Sequence, residues 1–457
     1  MALLVYFNNY ELSCKERVML RILFLLVSTG LFVNAQDWAN WRGPNFDGSS
    51  DGKNLPTKFS TTDKVKWKFD LDGTGASTPV ISGDNIFVTA ASEKRMKLEG
   101  ICIDRKTGKE KWRVNAGSGY KAGGDGNEIK LGNRSNYASP SPVTDGKSVA
   151  FFFGNGDLVC FDLNGKEKWR VNIQKEEGDF SFQWTFSATP TLHKGKLYMP
   201  VLQRNEVVHG RGKAGNESYI NCYDFETGKK IFKYIRKSPA KKESLESFTT
   251  MIPQTINGVD QLVLAGGDIL TGHDLNTGKV LWTWGTWNKN HREQWWRLVP
   301  TVTPGPNNTY LVCAPKKAPS YAIQVQKDNT AKLLWKSEDR GKVTSDVPAP
   351  LFYSGHYFVL SDVRKAISKV DPVNGKVLWT TDTPGNSKYR SSPLGADGKI
   401  YIMNHSGDVV VYDAESGKQL ALNKMGDDED AYVRASIICV DNQLFVRTES
   451  KIYCIAN

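Results

Sequence analysis

Short apolar stretches separated by polar turn residues recur along the chain and predict β-strands. In the first clear unit, strands are expected at Ser77–Ile81, Ile86–Thr89 and Gly100–Asp104. The polar run Lys106–Lys109 then turns the chain into a fourth strand, which is expected to end at Trp112. The unit is therefore predicted to be a four-stranded antiparallel sheet.

The turn before the fourth strand returns through the chain with small changes. Six clear copies begin at Ile103, Phe161, Tyr223, His273, Val370 and Tyr412, and a degraded copy begins at Val325. The unit thus recurs every 40 to 60 residues or so, a period typical of repeat architectures. In each clear copy, an Asp and a following Thr, Asn or Ser offer side-chain acceptors to the turn backbone, so these residues are expected to serve the turn.

The number of strands predicts a closed ring. After the first, units open near Ser139, Ala188, Met251, Val299, Ala349 and Ser391. An eighth unit opens at Arg434 but supplies only three strands, whereas Val65–Leu71 matches an outer, Trp-bearing strand and has no unit ahead of it. Docking of that strand on the last unit would close the ring. We predict an all-β, eight-bladed β-propeller over residues 65–457, preceded by an N-terminal extension over residues 36–64.

The repeat carries a family resemblance. Copies approximating small-x-Asp-x-x-Thr-Gly-Lys-x-x-Trp, in eight units closed by an amino-terminal strand, resemble the pyrroloquinoline-quinone (PQQ) repeat family of β-propellers. Such blades occur in quinone-dependent dehydrogenases, in the outer-membrane assembly lipoprotein and in many exported proteins of unassigned role. Trp38–Pro44 resembles the Arg-Gly-Pro lead-in of that last group, to which the chain looks closest. The resemblance implies the fold and leaves the function open.

The amino end predicts export. Basic residues between positions 15 and 21 precede the apolar run Ile22–Val33, and small residues follow up to Ala35. This pattern is typical of a secretory signal peptide, here residues 1–35, with cleavage after Ala35 and with Met19 as an alternative start. A periplasmic or secreted protein is expected. No apolar run is long enough to span a bilayer, so no transmembrane segment is expected.

Composition narrows the classes of partner. With 39% hydrophobic and 24% charged residues the chain is ordinary for a globular protein, and we expect a monomer. The formal net charge of +11 would suit nucleic acid, an acidic surface or an anionic ligand. No Lys/Arg block or nucleic-acid-recognition motif accompanies it, so a nucleic-acid partner is not expected.

The positions of cysteine and histidine predict at most one disulfide and no metal site. Cys102, Cys160 and Cys222 share one repeat position, so we expect them to remain unpaired. Cys439 and Cys454, in strands expected to be neighbours, are the one candidate disulfide pair. The six His show no ligand spacing, and no metal site is expected.

The innermost strands predict a candidate site. Aligning them on their shared Pro gives one column of residues three positions earlier: Ala76, Ser139, Ser187, Thr250, Arg297, Val347, Arg390 and Arg434. Equivalent positions form a ring about the axis, so three arginines should share one channel mouth, where they could bind a carboxylate or phosphate. In the alternative interpretation, each arginine pairs with a local acid such as Asp346 or Asp430, or faces solvent.

Aromatic residues crowd the same loops. They are Tyr137, Trp184, Trp295, Trp296, Tyr389 and Tyr432. A planar ligand or a sugar could stack on them, or they could cap the core. Three long insertions, at residues 116–136, 203–218 and 286–297, could form a rim for a ligand or partner.

The function hypotheses fall into different classes. The dehydrogenases that the chain resembles use PQQ with calcium, a catalytic Asp and, in one group, adjacent disulfide-bonded Cys. This sequence has no adjacent Cys pair and no alignable calcium set, and Asp346 is the one candidate base. The leading hypothesis is an exported, non-catalytic propeller without a cofactor, which binds an anionic, aromatic or carbohydrate ligand or an envelope protein at the channel mouth. The alternatives are a PQQ- and calcium-dependent alcohol or sugar dehydrogenase and a scaffold in envelope protein assembly.

Overall fold

The structure is a computed structural model that describes residues 37–121, 123–125, 136–285, 287–428 and 430–457. The expected signal peptide and its cleavage site after Ala35 lie outside these residues. The described residues form eight four-stranded antiparallel sheets, which confirms the predicted all-β, eight-bladed propeller. The innermost strands of adjacent blades contact one another around the axis.

Strands are numbered in chain order, and each blade is given from its innermost strand outward. Blade one contains β2 (Val80–Ser82), β3 (Asn85–Ser92), β4 (Lys97–Asp104) and β5 (Glu110–Gly117). Blade two contains β6 (Val143–Thr144), β7 (Ser148–Phe152), β8 (Asp157–Asp162) and β9 (Glu167–Asn172). Blade three contains β10 (Thr191–His193), β11 (Lys196–Val201), β12 (Tyr219–Asp224) and β13 (Lys230–Ile235). Blade four contains β14 (Ile252–Ile256), β15 (Val259–Gly266), β16 (Ile269–Asp274) and β17 (Val280–Trp284).

The second half of the ring has the same order. Blade five contains β18 (Thr303–Pro304), β19 (Thr309–Cys313), β20 (Ser320–Val325) and β21 (Ala331–Lys336). Blade six contains β22 (Leu351–Tyr353), β23 (His356–Ser361), β24 (Ala366–Val370) and β25 (Val377–Asp382). Blade seven contains β26 (Leu394–Ala396), β27 (Lys399–Met403), β28 (Asp408–Asp413) and β29 (Gln419–Lys424). Blade eight contains β30 (Ile438–Val440), β31 (Gln443–Arg447), β32 (Lys451–Ile455) and, outermost, β1 (Val65–Asp70).

Among the described residues, helical structure is limited to short connecting segments. One five-residue helix, α1, follows β9, and two 3-10 turns lie in loops; their bounds are Ile173–Glu177, Lys242–Leu245 and Lys289–His291. Within the described part of the chain, no helix combines the length and apolar character needed to cross a membrane.

The expected end of the fourth strand at Trp112 was wrong. β5 continues to Gly117, and Trp112 lies near its beginning. Asn115 still pairs with Glu99 of β4, because β4 is itself eight residues long and its ladder continues past the Trp. In blade one the repeated Trp therefore does not mark the end of the outer strand.

The ring closes as predicted. β1 pairs antiparallel with β32, with Trp67 opposite Cys454 and Phe69 opposite Ile452. β31 lies between β30 and β32, so Cys439 and Cys454 are not in neighbouring strands. Both are buried free thiols, and the candidate disulfide between them was wrong for this reason.

The repeated turn and Trp join several pairs of adjacent blades. In blade three, Asp224 Oδ1 accepts hydrogen bonds from the Thr227 amide at 2.9 Å and the Thr227 hydroxyl at 2.6 Å, as the sequence predicted for this turn. Trp169 of blade two packs over Gly228 of the same turn and donates its indole N–H to Phe225 O at 2.9 Å. Equivalent indole bonds join Trp67 to Arg105, Trp112 to Leu163 and Trp335 to Pro372. The motif is thus a joint between blades.

Residues 37–59, here called the floor segment, run across one end of the ring. The segment begins at blade one, where Trp38 bridges to Ile81, and later reaches blade seven, where Ser49 bridges to Gly395. Between these points Ala39 O accepts the amide of Thr144 in blade two. The segment therefore contacts the ends of inner strands on both sides of the axis.

Arg42 fixes the middle of the floor segment. Its guanidinium is buried and donates to the carbonyl oxygens of Pro393 at 2.6 Å, Pro350 at 2.7 Å and Asp47 at 2.8 Å. Burial lowers the pKa of Arg42 to about 10, and the nearby Asp47 carboxylate opposes this effect. Arg42 thereby joins the floor segment to blades six and seven.

Candidate ligand-binding site

A cavity of about 230 Å³ lies on the propeller axis. Every position of the predicted column lines it: Ala76, Ser139, Ser187, Thr250, Arg297, Val347, Arg390 and Arg434. The inner strands bring these residues together because each enters its blade beside the axis. The three arginines come from blades five, seven and eight.

Carboxylates behind the cavity wall hold two of the arginines. Arg297 Nη2 lies 3.3 Å from Asp346 Oδ2, and Arg390 Nε donates to Asp362 Oδ2 at 3.1 Å. The pairing of Arg297 with Asp346 is the one foreseen in the alternative interpretation. The Arg434 guanidinium carbon lies 5.7 Å from the ring centre of Tyr432, a cation–π distance.

The paired acids differ in environment. Burial raises the pKa of Asp362, while the amide of Asp346 and the charge of Arg390 oppose that rise. Asp346 Oδ1 accepts the Lys316 amide at 3.0 Å, and its Oδ2 accepts from Arg297. Both oxygens of Asp346 are therefore engaged, which does not suit the general base considered from the sequence. Among the described residues that line the cavity itself, there are arginines and no carboxylate.

A ring of hydroxyl groups forms the next level of the cavity. The residues called the hydroxyl ring are Thr78, Ser141, Thr189, Thr301, Ser392 and Ser436. Each hydroxyl oxygen accepts an amide N–H from the preceding blade, with donor–acceptor distances from 2.9 to 3.2 Å. The bond from Ser436 N to Thr78 Oγ1, at 3.0 Å, joins blade eight to blade one. All of these residues except Thr301 line the cavity.

Trp41 of the floor segment supplies the aromatic end of the cavity. It lies in the lining together with the hydroxyl ring and directly precedes Arg42 in sequence. Trp184 and Phe248 add aromatic surface to the wall. The cavity therefore has arginines, then hydroxyls, then an indole.

The other predicted aromatic residues do not line this cavity. Tyr137 and Tyr389 are buried in the core between blades, and their hydroxyl groups donate to Asp125 and to Pro384 O. Trp296 packs against a core cluster, and Trp295 is 54% exposed. Tyr432 contacts Arg434, as described above. Trp184 alone of the six therefore lies in the cavity wall.

A buried ion pair lies beside the wall. Glu246 is fully buried and accepts hydrogen bonds at Oε1 from Arg204 Nε and, at 2.9 Å, from the Gln183 amide. Burial raises the pKa of Glu246 to about 7, against the opposing charge of Arg204. Arg204 in turn lies 5.7 Å from the ring centre of Trp295. Sequence reasoning missed this pair because its members come from different loops.

The hydroxyl ring and Trp41 were also missed, although the sequence contains a signal for the ring. Four of its members directly precede the proline used for the alignment: Thr78, Ser141, Thr189 and Ser392. Trp41 directly precedes the Arg-Gly-Pro run. The sequence analysis used that run only as part of the family resemblance and did not connect it with the site.

Comparisons with known proteins agree with this architecture. A family model described as outer membrane protein assembly factor BamB matches residues 50–233 and 265–457. A polyvinylalcohol dehydrogenase from a Pseudomonas species is 26% identical over 253 residues, covering 48% of this chain and 35% of the relative. Quinoprotein glucose dehydrogenase A from Acinetobacter calcoaceticus is 22% identical over 367 residues, covering 76% of this chain and 38% of the relative. The matches span little more than a third of either relative.

Solved structures share the fold. A europium-containing methanol dehydrogenase superposes with a TM-score of 0.66 at 12% identity, covering 92% of this chain and 98% of the other. BamB from Moraxella catarrhalis superposes with a TM-score of 0.59 at 14% identity, covering 86% of this chain and 99% of the other. The two neighbours carry different functions in their names, so the shared fold does not choose between them.

Proposed function

Because the chain belongs to the PQQ-like β-propeller family, whose matching model is described as outer membrane protein assembly factor BamB, we propose that it is a non-catalytic binding protein for a small anionic ligand. The ligand occupies the central channel. The observation that carries this proposal is the convergence of Arg297, Arg390 and Arg434 on one cavity whose described lining holds no carboxylate.

The acids behind the wall support this function by orienting the guanidinium groups. Among the bonds of the described residues, Arg390 donates to Asp362 from Nε and makes none from its terminal nitrogens, and Arg390 lines the cavity. A guanidinium held in this way can offer paired donors to a carboxylate or phosphate. Asp346 and Asp362 also reduce the net positive charge, so affinity depends on direct contact and less on long-range attraction.

The PQQ cofactor of the resembled dehydrogenases fits this site only in part. The arginines suit the carboxylates of PQQ. Calcium requires several oxygen ligands, and no group of three or more His, Cys, Asp or Glu side chains suited to a metal occurs among the described residues. The lining residues offer a metal only hydroxyl groups. The donor set therefore does not fit PQQ with calcium, and the relatives' dehydrogenase activity is not our proposal for this chain.

A role in envelope protein assembly is the second candidate, and the description of the matching family model favours it. In that role the protein is exported and binds another envelope protein. The two candidates differ in a measurable way, because only the ligand-binding function requires the cavity arginines.

Cell fractionation tests the proposed envelope or secreted location.

The test uses calorimetric titration of the purified protein with acetate, benzoate, phosphate, glucuronate and PQQ. We expect at least one anion to bind and Arg434→Gln to weaken that binding by roughly tenfold to hundredfold, because a hydrogen bond to a charged group contributes about 1.5–3 kcal/mol. Arg340→Gln is the matched control, since it removes the same charge from an exposed loop outside the cavity.

Two results would contradict the proposal. One is the absence of binding by every anion in the panel. The other is equal affinity in the wild type and Arg434→Gln. Turnover of an alcohol or aldose with PQQ, calcium and an artificial electron acceptor would instead support the dehydrogenase alternative.

A further inference from the structure

The hydroxyl ring has unused donors that face the cavity. Its five lining members are at most 7% exposed: Thr78, Ser141, Thr189, Ser392 and Ser436. Each oxygen accepts one amide N–H, and within the described part of the chain none of the five hydroxyls donates a hydrogen bond in return. A hydroxyl has one donor and two acceptor positions, so each retains a donor and an acceptor for a ligand.

From this ring we propose that the ligand is a carbohydrate acid of single-ring size, such as a hexuronic acid. This inference rests on the proposed anion-binding function and specifies the ligand class. The carboxylate contacts the arginines, the hydroxyl groups of the sugar exchange hydrogen bonds with the five lining members of the hydroxyl ring, and the apolar face of the sugar lies on Trp41.

The three levels of the cavity match the three parts of such a molecule. Sugar hydroxyls donate and accept, as the wall hydroxyls do, so both sides can be satisfied. The indole of Trp41 offers a flat apolar surface at the far end. Arg297, Arg390 and Arg434 supply charged donors at the other end. The order along the axis therefore follows the polarity of a uronic acid.

A flat aromatic acid would leave the hydroxyl ring without partners. Each buried donor that loses water and gains no acceptor costs about 1–3 kcal/mol, and five such donors face the cavity. Acetate or phosphate would reach the arginines and leave the Trp41 end without a partner.

The volume of the cavity favours a small ligand. The volume of about 230 Å³ is smaller than the roughly 300–1,000 Å³ of pockets for drug-sized ligands. One sugar ring with its carboxylate is therefore favoured over an oligosaccharide or a multi-ring cofactor.

The first experiment compares probes on the wild-type protein by calorimetry. The probes are glucuronate, galacturonate, glucose and benzoate, which separate the carboxylate from the hydroxylated ring. We expect at least one uronate to bind about tenfold or more tightly than both glucose and benzoate. If benzoate binds as tightly as the uronates, the carbohydrate inference is wrong and the anion-binding function stands. If no anion binds, or if glucose matches the uronates, both proposals are wrong.

The second experiment uses matched variants of the hydroxyl ring. Thr189→Val and Thr301→Val each remove one hydroxyl that accepts an amide from the preceding blade, but only Thr189 lines the cavity. We expect Thr189→Val to weaken uronate binding about tenfold and to leave acetate binding unchanged. Thr301→Val should leave both affinities unchanged.

Thermal denaturation of both variants provides the control for folding, because each loses one bond between blades. Equal uronate affinities in the two variants would overturn the assignment of the hydroxyl ring to the ligand. Trp41→Leu provides an independent check, and we expect it to weaken binding of the uronates more than that of acetate.

Discussion

At the residue scale, the buried carboxyl group of Glu246 makes the stability of the protein depend on pH. Its pKa of about 7 in the folded protein lies above the value of about 4.3 for an exposed Glu. Between these values the folded protein keeps a proton that the unfolded chain has released. The contribution of Glu246 to the free energy of unfolding should therefore fall as the pH rises from about 4 to about 7.

Replacement of Glu246 by Gln removes this titration. We expect urea denaturation at several pH values to show a shallower decline of the unfolding free energy for Glu246→Gln than for the wild type. Glu338→Gln changes an exposed carboxylate and should keep the wild-type decline. A decline of equal slope in all three proteins would show that Glu246 does not titrate in this range.

Residues of the site differ in how well the sequence predicted them. The shared level of Arg390 and Arg434 was predictable, because repeats place equivalent positions on one ring. Arg297 also lines the cavity, but it lies four residues before the hydroxyl-ring residue of its blade, Thr301, whereas Arg390 and Arg434 lie two residues before theirs. The local partner of Arg390, Asp362, was not, because the two residues belong to different blades and share no pattern. The sequence predicted that Tyr137 lies in a loop near the channel mouth. Its ring instead packs in the core between blades, because the direction of the backbone determines where the side chain points.

At the scale of elements, the joint between blades can be tested by two glycines with almost the same backbone conformation. Gly228 has φ of 73° and Gly195 has φ of 72°. A Cβ at Gly228 would lie 2.5 Å from the ring of Trp169, whereas a Cβ at Gly195 would have no neighbour within 4 Å. Alanine at either position strains the backbone, but only Gly228→Ala also displaces the Trp.

We therefore expect Gly228→Ala to lower the free energy of unfolding by about 1–3 kcal/mol more than Gly195→Ala. Urea denaturation of both variants measures the difference. Equal losses would mean that the Trp–Gly contact contributes nothing beyond the cost of the turn itself.

Strands were predictable in number and order, and less so at their ends. Apolar alternation located the four strands of blade one and the turn between the outer two. The innermost strand was expected from Ser77, yet β2 begins at Val80. Thr78 bonds to Ser141 of the next blade, so the ladder within its own blade starts later. Contacts between blades thus decide where these strands begin.

At the scale of the whole molecule, Arg42 links the floor segment to the ring and to the cavity. Arg42→Ala removes the Arg42 donor from the buried carbonyl of Pro393 and leaves the carbonyl of Pro350 with the Thr303 hydroxyl as its donor, so we expect a lower thermal midpoint. Because Trp41 adjoins Arg42 and lines the cavity, we also expect weaker ligand binding. Differential scanning calorimetry and titration measure the two effects.

Arg236→Ala is the matched control. Arg236 is also buried and donates to the carbonyls of Gly266 at 3.0 Å and Ile269 at 3.2 Å, away from the cavity lining. It should lower the thermal midpoint and leave ligand affinity unchanged. Arg42→Lys keeps the charge and serves where the Ala variant does not fold. If a folded Arg42 variant binds the ligand with unchanged affinity, the floor segment does not contribute to ligand binding.

The closed ring was predictable from the missing strand of the last unit, since its partner could be identified by its Trp pattern. The path of the floor segment was not. Its bonds run largely to backbone carbonyls and amides, which every residue possesses, so no side-chain pattern marks their positions.

Ring closure also sets an order of assembly during synthesis. Arg42 binds a carbonyl 351 residues further along the chain, and Thr78 accepts an amide 358 residues away. Arg42 and Thr78 are synthesised before their partners, so these contacts cannot form until the later blades have been made. Such distant pairings slow folding and prolong the exposure of unpaired strand edges. A nascent chain interrupted before residue 434 would have seven blades and an open gap, and it would depend on chaperones to avoid aggregation.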